Sequence, residues 1–331
     1  MAEVSLQNIS KSFGNQIALK GVDLTIPDGT FVVLLGPTGA GKTTTLRMVS
    51  GLDKPDAGKV LVNGQDVAGQ SPAERNMAMV FQQYSLYPHL SVRQNLEFPL
   101  KSPMLRTPAD EITRKVGEVA EVLQISHKLD NKATELSGGE MQRVSIGRAL
   151  VRNPHIYLMD EPLSSLDAKL RSDLRIELKR IQASLGATML YVTHDQIEAM
   201  TMATHVGVLD RGRLVQFGSP REIYEAPVSI YVASRLGSPK INILPADMFP
   251  DAPRGANQIG LRPEHIRIGE GQETRVVRVE HLGDQTRLHL KIGDADLITL
   301  TNPHTTLAKG DTVKIAPQAP LYFDASGDRI Q

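Results

Sequence analysis

Residues 36–44 read Gly-Pro-Thr-Gly-Ala-Gly-Lys-Thr-Thr (GPTGAGKTT) and directly follow the apolar run Phe31–Leu35, FVVLL. Gly36, Gly41, Lys42 and Thr43 fit the spacing G-x-x-x-x-G-K-[ST] of a phosphate-cradling loop. The glycines allow a tight turn in which successive backbone N–H groups converge on an anion. A helix opening near Lys42 adds its positive N-terminal end. The Lys42 ammonium is placed to reach β- and γ-phosphates, and the Thr43 hydroxyl to ligate Mg²⁺. Gly36, Pro37, Thr38, Gly39, Ala40, Gly41, Lys42, Thr43 and Thr44 are therefore candidate phosphate contacts. The apolar run before them and a helix ending at Ser50-Gly51 supply the strand–loop–helix context. Such a loop names a ligand class but not a function.

The chain has 331 residues, enough for two domains. Lys plus Arg equal Asp plus Glu at 37 each, so no polyanionic partner is implied. With no cysteine, disulfides and thiolate metal sites are excluded. No apolar run approaches ~18 residues, and MAEVSLQNIS lacks a basic and an apolar leader region. The expectation is a cytosolic chain that reaches a membrane only through partner subunits.

Along the chain, VSLQNIS, VDLTI and FVVLL read as strands, with Phe13 in a loop between them. A loop aromatic is either packing or, ahead of a nucleotide loop, a surface on which adenine stacks. KVLVNG is a further strand, Ser71-Pro72-Ala73-Glu74 has the pattern of a capped helix start, and MAMVFQQ (77–83) reads as a buried strand ending at Gln82 and Gln83. Residues 88–154 are expected to be mainly helical, with Ser137 capping the helix in LSGGEMQRVSIGRALVRNP. IYLMDEP and TMLYVTHD are strands that flank an amphipathic helix, and HVGVLDRGRLVQFG is a hairpin. Strands alternating with helices through residue 235 indicate an α/β unit with a mostly parallel sheet. Residues 237–255, rich in Pro and Gly, read as a linker, followed by about five short strands of a small OB-like barrel.

Asp160 and Glu161 end an apolar strand, where two acids are either solvated turn residues or Walker-B acids. In the second reading Asp160 holds Mg²⁺ and Glu161 polarises the attacking water. His194 ends another strand and is placed to contact a γ-phosphate. Gln82 is a candidate for the Mg²⁺ shell. Leu136–Glu140, LSGGE, puts a Ser cap and two glycines at a helix start, a second anion site.

Taken in order, KSFG, GPTGAGKT, FQQYSLYPHLSV, LSGGEMQR, IYLMDEP, SSLD and VTHD resemble an ATP-binding-cassette (ABC) ATPase over residues 3 to about 330. GSPREIYEAPVSIYVASRLGSPKINILPA and IGLRPEHIRI are similar to the ATPase subunits of maltose-type and glycerol-phosphate-type importers. The resemblance implies a P-loop NTPase domain over 1–235 with a RecA-like core and a helical subdomain at about 88–154. An OB-like TOBE regulatory domain would follow over 236–331.

The resemblance also implies roles. Phe13 would stack on adenine, Lys42 and the loop amides would bind phosphates, and Thr43, Gln82 and Asp160 would serve Mg²⁺. Glu161 would be the general base, Lys42 and His194 the catalytic γ-phosphate contacts. Ser137, Gly138 and Gly139 would bind the ATP held by a second copy, in a head-to-tail homodimer with Asp167 coupling the two sites. Other implied partners are two integral-membrane permease subunits, docked near Tyr87-Pro88-His89, and a solute-binding protein. The location would be the cytoplasmic face of the inner or plasma membrane. The chain departs from the usual pattern at Glu140, where Gln is commonest, and at Ser165 in SSLD. The alternative is a soluble ABC ATPase acting on nucleic acid or ribosomes. Zero net charge and few C-terminal aromatics, chiefly Tyr322 and Phe323, weigh against that alternative.

Overall fold

The five residues FVVLL put no polar side chain into the sheet they join, so the strand Phe31–Leu35 is buried from end to end. It belongs to a computed structural model that describes residues 2–103 and 105–330. Two compact units emerge, residues 1–220 and 221–331.

The first unit runs β1 (Val4–Phe13), β2 (Gln16–Ile26), β3 (Phe31–Leu35), α1 (Lys42–Ser50), β4 (Ala57–Val62), β5 (Gln65–Asp66), β6 (Ala78–Val80), α2 (Val92–Glu97), α3 (Ala109–Val122), α4 (Gly138–Leu150), β7 (Tyr157–Asp160), α5 (Ala168–Leu185), β8 (Met189–Thr193), α6 (Gln196–Met202), β9 (His205–Asp210) and β10 (Arg213–Gly218). β10-β9-β3-β8-β7-β6 form one sheet, parallel except for the β9–β10 hairpin. β2-β1-β4-β5 form an antiparallel sheet. One core joins them: Val4, Leu6, Leu24 and Val60 pack with Val32, Leu34, Leu158 and Leu190, and with Leu46 and Val49 of α1. Full burial of each such side chain contributes about 1.5–3 kcal/mol, so α1 is anchored where the phosphate loop needs it.

Register sets the functional edge. Leu35 lies opposite Thr193, and Asp160 opposite Val192. The residues that follow β3, β7 and β8 therefore leave the sheet together at its carboxyl edge, the ligand side of open α/β sheets. Residues 88–154 hold α2, α3 and α4, as expected for the helical part. Ser71–Glu74 forms only a turn, although the Ser71 N–H and hydroxyl both donate to Glu74 Oε2, at 2.8 and 2.7 Å. The buried strand expected over 77–83 shortens to β6, with Phe81 and Gln82 exposed beyond it.

The second unit begins with α7 (Pro220–Glu225), whose first residue closes the first unit, and α8 (Ile230–Ala233). β11 (Asn242–Pro245), β12 (Gln258–Leu261), β13 (Ile266–His281), β14 (Thr286–Ile292), β15 (Ala295–Thr301), β16 (Thr312–Pro317), β17 (Leu321–Phe323) and β18 (Arg329–Ile330) follow. Among the described residues these strands make two four-stranded antiparallel sheets, β11-β12-β17-β18 and β15-β14-β13-β16. The strands beyond the five expected are β11, β17 and β18, and Pro263 divides IGLRPEHIRI into β12, a short 3₁₀ turn and the start of β13, which runs on through TRVVRVEH.

The units divide upstream of the 235/236 boundary that composition suggested. The buried Arg262 guanidinium donates to the carbonyls of Tyr224, Ala233 and Leu236, which ties that stretch to the second unit. Residues 237–255 are not a free linker either. Ile241, Leu244 and Phe249 are buried, and Leu244 and Phe249 join the core of the second unit.

Candidate functional site

The phosphate loop is shaped by contacts that exclude side chains. Gly41 caps α1 with φ 103°, in the left-handed region, and a Cβ there would stand 2.8 Å from both Ala18 O and Leu19 Cδ2. The first bond into the helix runs from Thr45 N to Gly41 O at 2.9 Å. The N–H groups of Lys42, Thr43 and Thr44 therefore precede the helical ladder and are free to meet an anion. Lys42 is buried, and its ammonium turns back to donate to Gly36 O at 2.9 Å and Pro37 O at 3.2 Å.

The acids and the histidine meet this loop. Lys42 Nζ lies 3.5 Å from Glu161 Oε1, and His194 Nδ1 lies 3.0 Å from Glu161 Oε2. The Thr43 hydroxyl donates to Asp160 Oδ1 at 3.0 Å. Burial pushes the Asp160 carboxyl above its usual range, while the Thr43 hydroxyl acts in the opposite direction. Glu161 takes φ 44°, unusual for a residue with a Cβ. There it opens a turn in which Ser164 N and Oγ both donate to its carbonyl, at 3.2 and 2.9 Å. Strain at such a residue is common where a side chain must be aimed. Here the carboxylate is aimed between an ammonium and an imidazole.

Thr43 and Asp160 offer the hard oxygen ligands that Mg²⁺ prefers. Among the described residues no group of three or more His, Cys, Asp or Glu could hold a metal by itself. This fits an ion that takes one carboxylate from the protein and completes its shell with neutral oxygens, water and phosphate.

Six candidate residues stand apart from this cluster. Gln82 is exposed, two residues beyond β6, at the same sheet edge as Asp160. Phe13 is not in a loop: it is the last residue of β1, paired with Gln16, 49% exposed, with the Lys11 ammonium 5.5 Å from its ring centre. Its exposure leaves a ring face for stacking. Ser137, Gly138 and Gly139 open α4 with Ser137 as N-cap. A Cβ on Gly139 would come within 2.2 Å of Leu170 Cδ2, so this glycine lets α4 lie against the start of α5. Asp167 caps α5 by accepting from Leu170 N at 3.0 Å and stays exposed.

Two supports escaped sequence reasoning. Arg75 is buried and donates to Met48 O at 2.7 Å and Val49 O at 2.8 Å, and further to Gln70 O and Ala68 O. It closes the C-terminal end of α1 with a cation, the sign that end favours. Nothing in SPAERN announces this, because its main partners are carbonyls more than twenty positions away. Glu140 completes a capping box with Ser137. The S-x-x-E spacing was legible, yet only the Ser137 half was read.

Comparison with known proteins now bears on this geometry. A family model described as "ABC transporter" matches residues 19–164, and one described as "TOBE domain" matches residues 259–320. The sn-glycerol-3-phosphate import ATP-binding protein UgpC of Brucella abortus (strain 2308) is 45% identical over 351 residues, covering 100% of this chain and 99% of that protein. The chain belongs to the ABC import ATP-binding proteins. UgpC 1 of Rhizobium etli is 44% identical over 305 residues, covering 89% of this chain and 87% of the relative. A bacterial ABC transporter cassette solved as a dimer superposes with a TM-score of 0.59 at 32% identity, covering 66% of this chain and 99% of that one. The ABC cassette and the TOBE region expected from the motifs are thus both present. Members of this family are ATPases coupled to import. Among the described residues of this ABC subunit, no helix is long and apolar enough to cross a membrane.

Proposed function

We propose that this ABC subunit hydrolyses ATP to energise import of a phosphorylated or related sugar derivative, the glycerol-phosphate class named for its relatives. The observation that carries the chemistry is the convergence of Lys42, Thr43, Asp160, Glu161 and His194 at one sheet edge. In the proposed reaction the loop amides and Lys42 bind the β- and γ-phosphates. The Glu161 carboxylate takes the proton of the attacking water as its oxygen bonds to the γ-phosphorus. The bond to the bridging oxygen breaks, giving ADP and phosphate, while the His194 imidazole orients the γ-phosphate. Mg²⁺, held by Thr43, Asp160 and Gln82, would neutralise phosphate charge when bound. Phe13 would stack on adenine.

Ser137, Gly138 and Gly139 would contact ATP held by a second copy, closing a head-to-tail homodimer. The dimeric structure of a related cassette supports this reading. Two permease subunits would hold this chain at the cytoplasmic face of the membrane, and a periplasmic or extracellular solute-binding protein would complete the importer. A cavity of about 250 Å³, lined by Phe81, Tyr84, Phe98 and Arg148 among others, suits a permease helix. Tyr87 packs against two of its lining residues, its ring centre 4.4 Å from that of Phe98 and 4.7 Å from the Arg148 guanidinium carbon. The nucleic-acid alternative is not favoured by the relatives.

The test is ATP hydrolysis by the chain co-purified with its permeases and supplied with its binding protein. Stimulation by sn-glycerol-3-phosphate or a close sugar derivative is expected. Indifference of the intact complex to all such solutes would overturn the substrate assignment.

A further inference from the structure

One neighbour, Glu140, engages both the N–H and the hydroxyl of Ser137. Its N–H donates to Glu140 Oε2 at 2.8 Å, its hydroxyl donates to the same oxygen at 2.9 Å, and its Oγ accepts from Glu140 N at 3.4 Å. The other carboxylate oxygen, Oε1, lies 3.1 Å from Lys128 Nζ. A serine hydroxyl carries one proton, so Ser137 cannot donate to a phosphate and to Glu140 at once. The Ser137 N–H, its hydroxyl and Lys128 hold the Glu140 carboxyl below the usual carboxylate range, so it is charged at neutral pH. A phosphate approaching the start of α4 therefore meets a committed hydroxyl and a carboxylate, with only Lys128 to offset the negative charge. A glutamine at this position would keep both bonds, its amide oxygen standing in for Oε2, but would remove the negative charge.

We infer that Glu140, balanced by Lys128, is a positioning residue that restrains Ser137 and sets the ATP concentration at which two copies close. The inference rests on the two-copy reading above, in which Ser137 binds the partner's ATP. It distinguishes two roles that a cap alone would merge. As a cap, Glu140 accepts the Ser137 N–H at the start of α4, a bond that Gln would keep. As a restraint, its charge and its hold on the hydroxyl both oppose phosphate binding.

The experiment is ATP-driven dimerisation of the full chain in a Glu161→Gln background, with KM and kcat for ATP measured in the otherwise native chain. Glu140→Gln is expected to lower the half-saturating ATP concentration roughly three- to tenfold with kcat little changed, the size of a screened charge contact. Lys128→Ala leaves the cap intact and is expected to raise it by a similar factor. In the Glu140→Gln background, Lys128→Ala is expected to have a smaller effect, because only the cation's own pull on phosphate is then lost. A half-saturation point unmoved by Glu140→Gln, or a Lys128→Ala effect of equal size in both backgrounds, would overturn the inference. Should Glu140→Gln fold poorly, an unmoved half-point in Lys128→Ala alone overturns it. A chain that stays monomeric at saturating ATP refutes the two-copy reading itself. A dimer that forms, and is weakened by Ser137→Ala, leaves that reading standing while Glu140 is judged.

Discussion

Glu161 Oε1 and Lys42 Nζ face each other at 3.5 Å, at the bottom of a site in which Lys42 also donates to Gly36 and Pro37. The ammonium that should bind phosphate is thus shared between loop carbonyls and the candidate base. Phosphate binding must draw Lys42 away from these partners, and doing so frees Glu161 toward water. Lys42→Ala removes a buried charge-assisted contact to phosphate, worth about 1.5–3 kcal/mol or more. ATP affinity should fall at least tenfold, measured by nucleotide titration of the purified chain. Unchanged affinity would contradict the placement of Lys42.

His194 contacts the same carboxylate from the other side, Nδ1 to Oε2 at 3.0 Å, and is 60% exposed. In the proposed reaction it orients the γ-phosphate and does not supply the base. His194→Ala should therefore lower kcat by roughly tenfold to a hundredfold, the lower range for a positioned proton-handling group, while ATP affinity changes little. A fall in affinity with kcat preserved would reverse the assignment.

Arg75 bonds four carbonyls, two of them at the end of the phosphate-loop helix. Arg75→Met preserves bulk but takes the guanidinium from all four carbonyls, leaving Met48 O with only the Gly51 N–H among the described residues. The expected cost is about 3 kcal/mol, a fall in Tm of roughly 5–10 °C for a unit of this size. Thermal unfolding with and without ATP measures it. A shift within 1–2 °C would show that water replaces the guanidinium.

Arg47 of α1 holds Asp53 through two bonds, Nε to Oδ2 at 2.5 Å and Nη2 to Oδ1 at 3.0 Å. The Arg47 hydrogen bonds depress the Asp53 pKa below its ordinary value. A depressed carboxyl stabilises the fold above its unfolded pKa, about 3.9, and loses that contribution as pH falls through the lower folded value. Arg47 is partly exposed, so the pair is worth only about 0.5–1 kcal/mol. The stability gap between the native chain and Asp53→Asn should be constant above about pH 5 and shrink below about pH 4. Urea unfolding across that range tests it, and a gap that widens on acidification would contradict the pairing.

The chemistry of the site was easier to read than its supports. GPTGAGKTT, the acids at the end of β7 and the histidine beyond β8 are fixed by local spacing, and the parallel register brings them together. Phe13 was misplaced into a loop because a Lys-Ser-Phe-Gly run lacks alternation, although it pairs with Gln16 as the end of β1. Residues 237–255 resemble a linker in composition because of their prolines, yet the second unit buries the apolar Ile241, Leu244 and Phe249 among them. Arg75 was unreadable in principle: a lone arginine carries no sign of the carbonyls it will meet. Glu140 was readable in type and position, and only the structure showed that one oxygen holds both donors of Ser137.

The central claim is that Glu161 removes the proton from the attacking water while Lys42 and the loop amides hold the phosphates. Single-turnover hydrolysis by Glu161→Gln tests it most directly, with bound ATP and free phosphate measured in the same sample. The account predicts ATP binding within about threefold of the native chain and hydrolysis slowed by at least ~100-fold. Hydrolysis at the native rate with ATP bound would contradict it.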